Sequence, residues 1–447
     1  MSEGEFLRRD GYWPSSPVVG QRGAQTRARI VEAALRLFET EGFHGTSVDS
    51  IAKSAATSRA TVYQYFESKE QIFVELLEEC GAALSRVVRR LGPLGPTAEG
   101  FDNLHWWLGE WAWVYDKYAT IFVQWTNIDA PGTSTRPLIV GYISKYNARI
   151  AERLAASDVK GMAVDDAALA LISLTQRFNF FRHRHYDPLP DVEEAIDGFA
   201  VLMQLMLFPD TPPEAFAALP PSDGTARRRR ASVSVVPTPA TARPGTPTTA
   251  LSRRATATVD EILAAGTRLL AEKGYHATGV DDLVAAAGFA RATFYKYFDD
   301  KLDLLRRLSA DTASAAGVLV EKLAAVDLEA GSDDALRAWL HEFVPFHRRY
   351  RGVIQIWSEG KFTDPDLLDA AVRSNAAMRD ACLRLLRQVE RSYALDLDVA
   401  AAVFLGVLDR LPVAAEEQGG PASDDEVVEM MLAVLRRGLL NGTVATG

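Results

Sequence analysis

Apolar positions along this chain recur almost everywhere at the helical period. Residues 24–41 (AQTRARIVEAALRLFETE) place Ile30, Ala33, Ala34, Leu37 and Phe38 on one face, and Gly42 is a stop. A short helix follows over 47–54, with Ser47 as its N-cap. After the turn Ala55-Ala-Thr, Ser58 caps a second short helix over 59–65. Ser68 caps a third that runs through Lys69, Glu70, Ile72, Phe73, Leu76 and Leu77. Longer amphipathic segments fill the remainder, broken at Gly92-Pro93 and Pro131-Gly132, and no stretch alternates as a strand would. The expected fold class is all-α.

The pattern occurs twice. The octapeptide RATVYQYF at Arg59 returns as RATFYKYF at Arg291, a shift of 232. The same register pairs Gly42 with Gly274, His44 with His276, Thr46 with Thr278, Asp49 with Asp281 and Lys69 with Lys301. Trp107, Glu110, Tyr118 and Trp125 match Trp339, Glu342, Tyr350 and Trp357, and a shift of 233 then aligns Asp165, Ala168 and Arg177 with Asp398, Ala401 and Arg410. An ordered series of this length reads as two copies of one domain. The period is far too long for a solenoid.

Two short helices joined by a three- or four-residue turn form a helix-turn-helix, whose second helix suits the major groove. Val48, Ile51 and Ala52 should pack the first inward, and Val62 and Phe66 the second. Arg59, Ala60, Thr61, Tyr63, Gln64 and Tyr65 are then free to face outward. Arg and Gln read base edges; Ser58, Thr61 and Tyr hydroxyls, and Lys69 at a helix start, suit phosphates. Thr46, just ahead of the first short helix, is expected at another phosphate, helped by that helix's dipole. The second set is Thr278, Arg291, Thr293, Tyr295, Lys296, Tyr297 and Lys301. The alternative for both tyrosine pairs is plain packing.

Residues 24–70, with GFHGTSVDSIAKSAATS and TVYQYFESKE, resemble the N-terminal domain of TetR/AcrR-family transcriptional repressors. Residues 257–301 resemble it again through GYHATGVDDLVAAAGFARATFYKYFDDK. The resemblance implies two modules, each a helix-turn-helix domain followed by a helical effector and dimerisation domain. It also implies repression of a double-stranded DNA operator, relieved by a small effector. Departures stand at Ala56, where Gly is common, at Ala290, where Ser is common, at Gly279, and at Asp299-Asp300 before Lys301, which would repel phosphate. The first head should therefore be the better reader.

The expected boundaries are a disordered tail over 1–21, a DNA-binding domain over 22–80 and an effector/dimerisation domain over 81–221. A linker over 222–250, a second DNA-binding domain over 251–312 and a second effector/dimerisation domain over 313–447 follow. The linker is rich in Pro, Thr, Ser and Ala and carries the run Arg227–Arg230. It cannot bury enough surface to order itself, and it spans on the order of 30 Å. Each half ends in two helices with broad apolar faces: 165–182 and 191–207, then 398–411 and 424–440. Because the family resembled dimerises through such pairs, the two halves are expected to close on each other as an intrachain pseudo-dimer. Pairing of two such chains stays compatible with this, and a fused pair with Gln64 in one head and Lys296 in the other need not read a palindrome.

The first half also carries HWWLGEWAWVYDKYATIFVQW. Its aromatics are either core or the lining of an apolar or aromatic effector site. The candidate lining is Trp107, Glu110, Trp111, Tyr115, Gln124, Trp125, Arg177 and Phe178. His183 and His185 lack a carboxylate or thiol at metal spacing, so no metal is expected, and no cofactor or catalytic motif appears. The two cysteines, far apart, and the lack of a long apolar run point to a cytoplasmic protein without a membrane span. The net charge of −10 argues against indiscriminate nucleic-acid binding. A scaffold that kept the fold and lost DNA binding is the competing reading.

Overall fold

The computed structural model describes residues 21–124, 129–130, 133–134, 136–157, 159–184, 189–217, 219, 253–328, 332–359, 364–391, 393–419, 423–441 and 443–444. The linker at 222–250 and residues 1–20 of the expected tail lie outside them; Gln21 already belongs to the first helix. Among the described residues the chain is helical apart from two short antiparallel pairs. These join β1 (Asp129–Ala130) to β2 (Thr133–Ser134) and β3 (Val389–Glu390) to β4 (Thr443–Val444). None of the described helices is long and apolar enough to cross a membrane.

The chain divides into two compact units, residues 1–186 and 187–447. The first begins with α1 (Gln21–Thr40), the turn α2 (Gly42–Gly45), α3 (Val48–Ser54), α4 (Arg59–Tyr65) and α5 (Lys69–Arg90). Its body is α6 (Ala98–Gln124), bent at Tyr118, with α7 (Arg136–Ala155) and α8 (Val164–Arg184). The caps act where the side chains suggest. The hydroxyls of Ser47, Ser58 and Ser68 accept the N–H groups of Ser50, Thr61 and Gln71. Ile30, Phe38, Ile51, Val62, Phe66 and Phe73 close the head's core.

The second unit opens with α9 (Val192–Leu207), which the sequence assigns to the first copy. It then holds the second head: α10 (Arg253–Ala277), α11 (Val280–Ala287), α12 (Arg291–Tyr295) and the long α13 (Lys301–Ala324). The body is α14 (Asp334–Glu359), α15 (Pro365–Leu386), α16 (Leu397–Gly419) and α17 (Asp424–Val434), which ends in a π-helical turn at Leu435–Leu439.

The division between units thus falls before α9 rather than in the linker, and the reason is burial. Phe199, Leu202, Met203, Leu205 and Met206 of α9 are all buried, each worth roughly 1.5–3 kcal/mol when removed from water. Their partners are α16 and the turn after α17. Gly198 lets α9 approach α16, where an added Cβ would meet Val399 at 3.2 Å. Gly438 does the same against the Leu202 carbonyl, at 3.1 Å. Arg437 donates from Nε to the Met206 carbonyl (2.7 Å) and from Nη2 to that of Leu207 (2.9 Å). It thereby satisfies the last carbonyls of α9 with a cation, as the helix dipole favours.

Candidate nucleic-acid interface

Each head exposes the start of its second short helix. Arg59, Ala60, Tyr63 and Gln64 are exposed on α4, and Thr61 and Tyr65 are half-buried. On α12 and just beyond it, Arg291, Tyr295 and Lys296 are exposed, with Thr293 and Tyr297 half-buried. The packing alternative therefore does not describe Tyr63 and Tyr295, which are 44% and 49% exposed. Tyr65 and Tyr297 lie nearer to it.

The exposed side chains form the same arrangement twice. Arg59 donates to Asp49 Oδ2 (3.1 Å) and to the Tyr63 hydroxyl (3.3 Å), with its guanidinium 5.5 Å from the Tyr63 ring. Arg291 donates to both Asp281 oxygens (3.1 and 3.0 Å) and to the Tyr295 hydroxyl (3.4 Å). The Tyr hydroxyl first, and the carboxylate next, hold both guanidiniums above the usual arginine range. The role of Asp49 and Asp281 was not evident from their residue types, although their pairing across the repeat was its signal. The carboxylate orients the arginine and also offsets its charge.

Four of the expected phosphate ligands make hydrogen bonds inside the heads. Thr46 and Thr278 are buried, and their hydroxyls donate to the carbonyls of Gly42 (2.8 Å) and Gly274 (2.7 Å). Lys69 Nζ donates to the Phe43 and Thr46 carbonyls (2.9 and 3.0 Å) and sits 4.6 Å from the Phe43 ring centre. Lys301 repeats this with Tyr275 and Thr278 (2.8 and 2.9 Å). Burial draws the Lys301 ammonium below its usual range. These lysines close the turn after the head's first helix, where free carbonyls collect.

The heads differ in two local ways. The turn before the second short helix needs a left-handed residue: Ala56 holds φ +50° in the first head and Gly288 φ +74° in the second. The N-cap differs too. Ser58 Oγ accepts the Thr61 N–H at 3.0 Å and lies 2.8 Å from the Thr61 hydroxyl. Ala290 has nothing to offer, and α12 ends at Tyr295, short of the position matching the end of α4. At Gly279 the Asp282 carboxylate accepts the main-chain N–H at 2.8 Å instead.

The expected effector residues fall mostly in the core of the first unit. Trp107, Trp111, Tyr115 and Phe178 are buried. Trp111 and Tyr115 stack at 5.9 Å, Tyr115 and Phe122 at 4.7 Å, and Trp111 Nε1 donates to the Tyr146 hydroxyl at 3.1 Å. These rings fill the space between helices with one another. Glu110 lines a small surface groove of about 330 Å³ beside the exposed Trp113. Arg177 lies over the rings of Phe180 and Phe181. The Gln124 side chain and Trp125 lie outside the described residues.

A polar network with no signal in the sequence crosses this core. Arg182 donates to Asp116 Oδ1 (2.6 Å) and Asn179 Oδ1 (3.1 Å), and His183 Nδ1 lies 3.4 Å from Asp116. Burial works to raise the Asp116 carboxyl, but the hydrogen bonds from His183 and Arg182 outweigh it and hold it below the usual range. His185 lies outside the described residues, and among those described no group of His, Cys, Asp and Glu is placed to hold a metal.

The pattern describing "Bacterial regulatory proteins, tetR family" matches residues 30–76 and again 262–308. The chain is 26% identical over 128 residues to the Staphylococcus aureus "Biofilm operon icaADBC HTH-type negative transcriptional regulator IcaR". That match covers 28% of this chain and 66% of that relative, just under two thirds of its length. It is 34% identical over 70 residues to the Bacillus subtilis HTH-type transcriptional regulator YdgC, covering 16% of this chain and 36% of YdgC. Among solved structures it is similar to the TetR family transcriptional regulator PfmR from Thermus thermophilus. There the identity is 26%, the TM-score 0.33, and the alignment spans 40% of this chain and 98% of PfmR. Two heads, both matching the tetR-family pattern and built alike, give this chain two tetR-type N-terminal domains in tandem.

Proposed function

We propose that this chain regulates transcription by binding operator DNA through two heads of unequal strength, held together within one polypeptide. The observation that carries this reading is the duplicated, solvent-facing Arg–Tyr arrangement at the start of α4 and α12. Ser58, Thr61, Tyr63, Gln64 and Tyr65, and Thr293, Tyr295, Lys296 and Tyr297, remain the proposed contacts around it. Lys69, Lys301, Thr46 and Thr278 act by setting the turn behind the reading helix. The similarity to a protein described as a negative transcriptional regulator favours repression. The lack of a membrane-crossing helix among the described residues suits a cytoplasmic setting.

The packing of α9 within the second unit supports the pseudo-dimer: a tail helix of the first copy is buried by tail helices of the second. Gln64 in one head and Lys296 in the other favour an asymmetric operator. The aromatic effector reading has least support, because Trp111, Tyr115 and Phe122 pack against one another and Trp107 is buried.

A gel-shift with the chain's own upstream DNA tests the proposal. Binding should weaken steeply with salt through counterion release. Tyr63→Ala should weaken it across sequences, whereas Gln64→Ala should change base preference. The scaffold reading, favoured by the acidic chain and by the Asp49 and Asp281 ties, predicts no salt-dependent shift at all.

A further inference from the structure

We propose that the second copy holds a binding site for a small polyanion, of the class of phosphorylated metabolites, between α10, α14 and α16. A groove of about 780 Å³ opens there, lined by Arg268 and Glu272 of α10, Arg348, Arg349 and Arg351 of α14, and Glu416 of α16. That volume lies in the range of small-molecule sites. Four guanidiniums and two carboxylates line it, with Asp424 behind Arg348 as a third carboxylate, in a chain whose net charge is −10. Guanidinium groups match phosphate oxygens in pairs.

Two of the arginines are already oriented. Arg351 donates from Nε to the Ala271 carbonyl (3.0 Å) and from Nη1 to Glu416 (2.7 Å). Arg348 Nε lies 2.9 Å from the other Glu416 oxygen, and the same side chain pairs with Asp424. Arg268 and Arg349 are exposed at the rim. An entering anion would find a fixed floor and two arms able to turn toward it.

The first copy supplies the comparison. In the repeat register, Ala264, Ala271, Arg348 and Arg351 correspond to Glu32, Glu39, Asp116 and Ala119. Arg36, the counterpart of Arg268, is tied to Glu32 at 2.8 Å. Glu416 corresponds to His183, so the ion pair between α14 and α16 stands where Asp116 meets His183, with the carboxylate on the other helix. A contact that only holds two helices together works with the carboxylate on either helix. A gain of positive charge around a groove, in one copy alone, is what an anionic ligand requires.

The groove also touches the second head. Its helix α10 crosses α14 so closely at Gly352 that a Cβ there would fall on the Leu270 carbonyl. A ligand joining Arg268 on α10 to Arg349 on α14 would fix that crossing and, through it, the direction of α12. This consequence rests on the proposed DNA reading; the binding itself does not.

Titration calorimetry of the full-length chain with inorganic pyrophosphate, at constant ionic strength, tests the site. The expected result is saturable binding of one pyrophosphate per chain. It should weaken about tenfold or more when Arg268→Ala and Arg349→Ala are combined, since two charge-assisted contacts are lost. It should stay unchanged when the first-copy counterparts are altered together as Arg36→Ala and Lys117→Ala. Both pairs of residues are at the surface, and circular dichroism verifies the fold of each variant. No saturable heat, or equal weakening by both variants, overturns the proposal. So does displacement of pyrophosphate by duplex DNA together with an equal loss of DNA affinity in the first variant, which would make the groove part of the DNA-binding face.

Discussion

Ala56 carries a left-handed backbone that the equivalent position of the second head gives to a glycine. An L-residue there costs roughly 1–2 kcal/mol, and glycine returns part of that as chain entropy in the unfolded state. Ala56→Gly should therefore stabilise the first unit by about 0.5–1 kcal/mol, read as a higher chemical-denaturation midpoint; an unchanged or lower midpoint contradicts it. Ala290→Ser should add the missing cap of α12 and stabilise the second head by about 1 kcal/mol, with slower amide exchange over 291–297. His347 gives a pH test. Burial pushes its imidazole down to about 4, so it stays neutral where an unfolded chain would protonate. The unfolded state then binds more protons between about pH 6.5 and pH 4, and stability falls as pH drops through that window. The effect is on the order of 3 kcal/mol at its limit. His347→Gln should flatten the pH dependence of the second unit's unfolding midpoint, and an undiminished slope would assign it to other groups.

At the scale of elements, what was legible followed from local chemistry. Ser47, Ser58 and Ser68 were readable as caps because a hydroxyl reaches only its own helix's first turn. The bounds of α4 were readable for the same reason. The hydrogen bonds of Lys69 were not legible, because its partners, the Phe43 and Thr46 carbonyls, are brought near only by the packing of α5 beneath α1. Asp116 and Arg182 lie far apart in sequence, and no local signal links them. The tryptophans were readable as a cluster, but the packing of Trp111 on Tyr115 and Phe122, and the exposure of Trp113, depend on helix spacing. If Lys69 is structural, Lys69→Ala should lower the first head's stability without any DNA present. A loss of about 1.5–3 kcal/mol is expected for hydrogen bonds to a charged group. A variant of unchanged stability but reduced DNA affinity would return Lys69 to the phosphates.

At the scale of the whole molecule, the apolar faces of four tail helices were visible in the sequence, but not which unit would bury each. α9 resolves this: its carbonyls end on Arg437 and its apolar face on α16 and the turn after α17. Gln204, the counterpart of Arg437 in the repeat register, bonds instead to Thr211 within its own copy (2.9 Å). A pair of α9 helices from two chains would lose the Arg437 cap, so this contact favours pairing within the chain. Hydroxyl-radical footprinting of the upstream DNA tests the central claim, that one chain brings two different heads to one site. The account predicts two protected patches on one face of the duplex, about one helical turn or a multiple of it apart. Tyr63→Ala should erase one patch and Tyr295→Ala the other. Loss of both patches in Tyr63→Ala with none lost in Tyr295→Ala would mean that two chains each lend their first head, and the claim would fail.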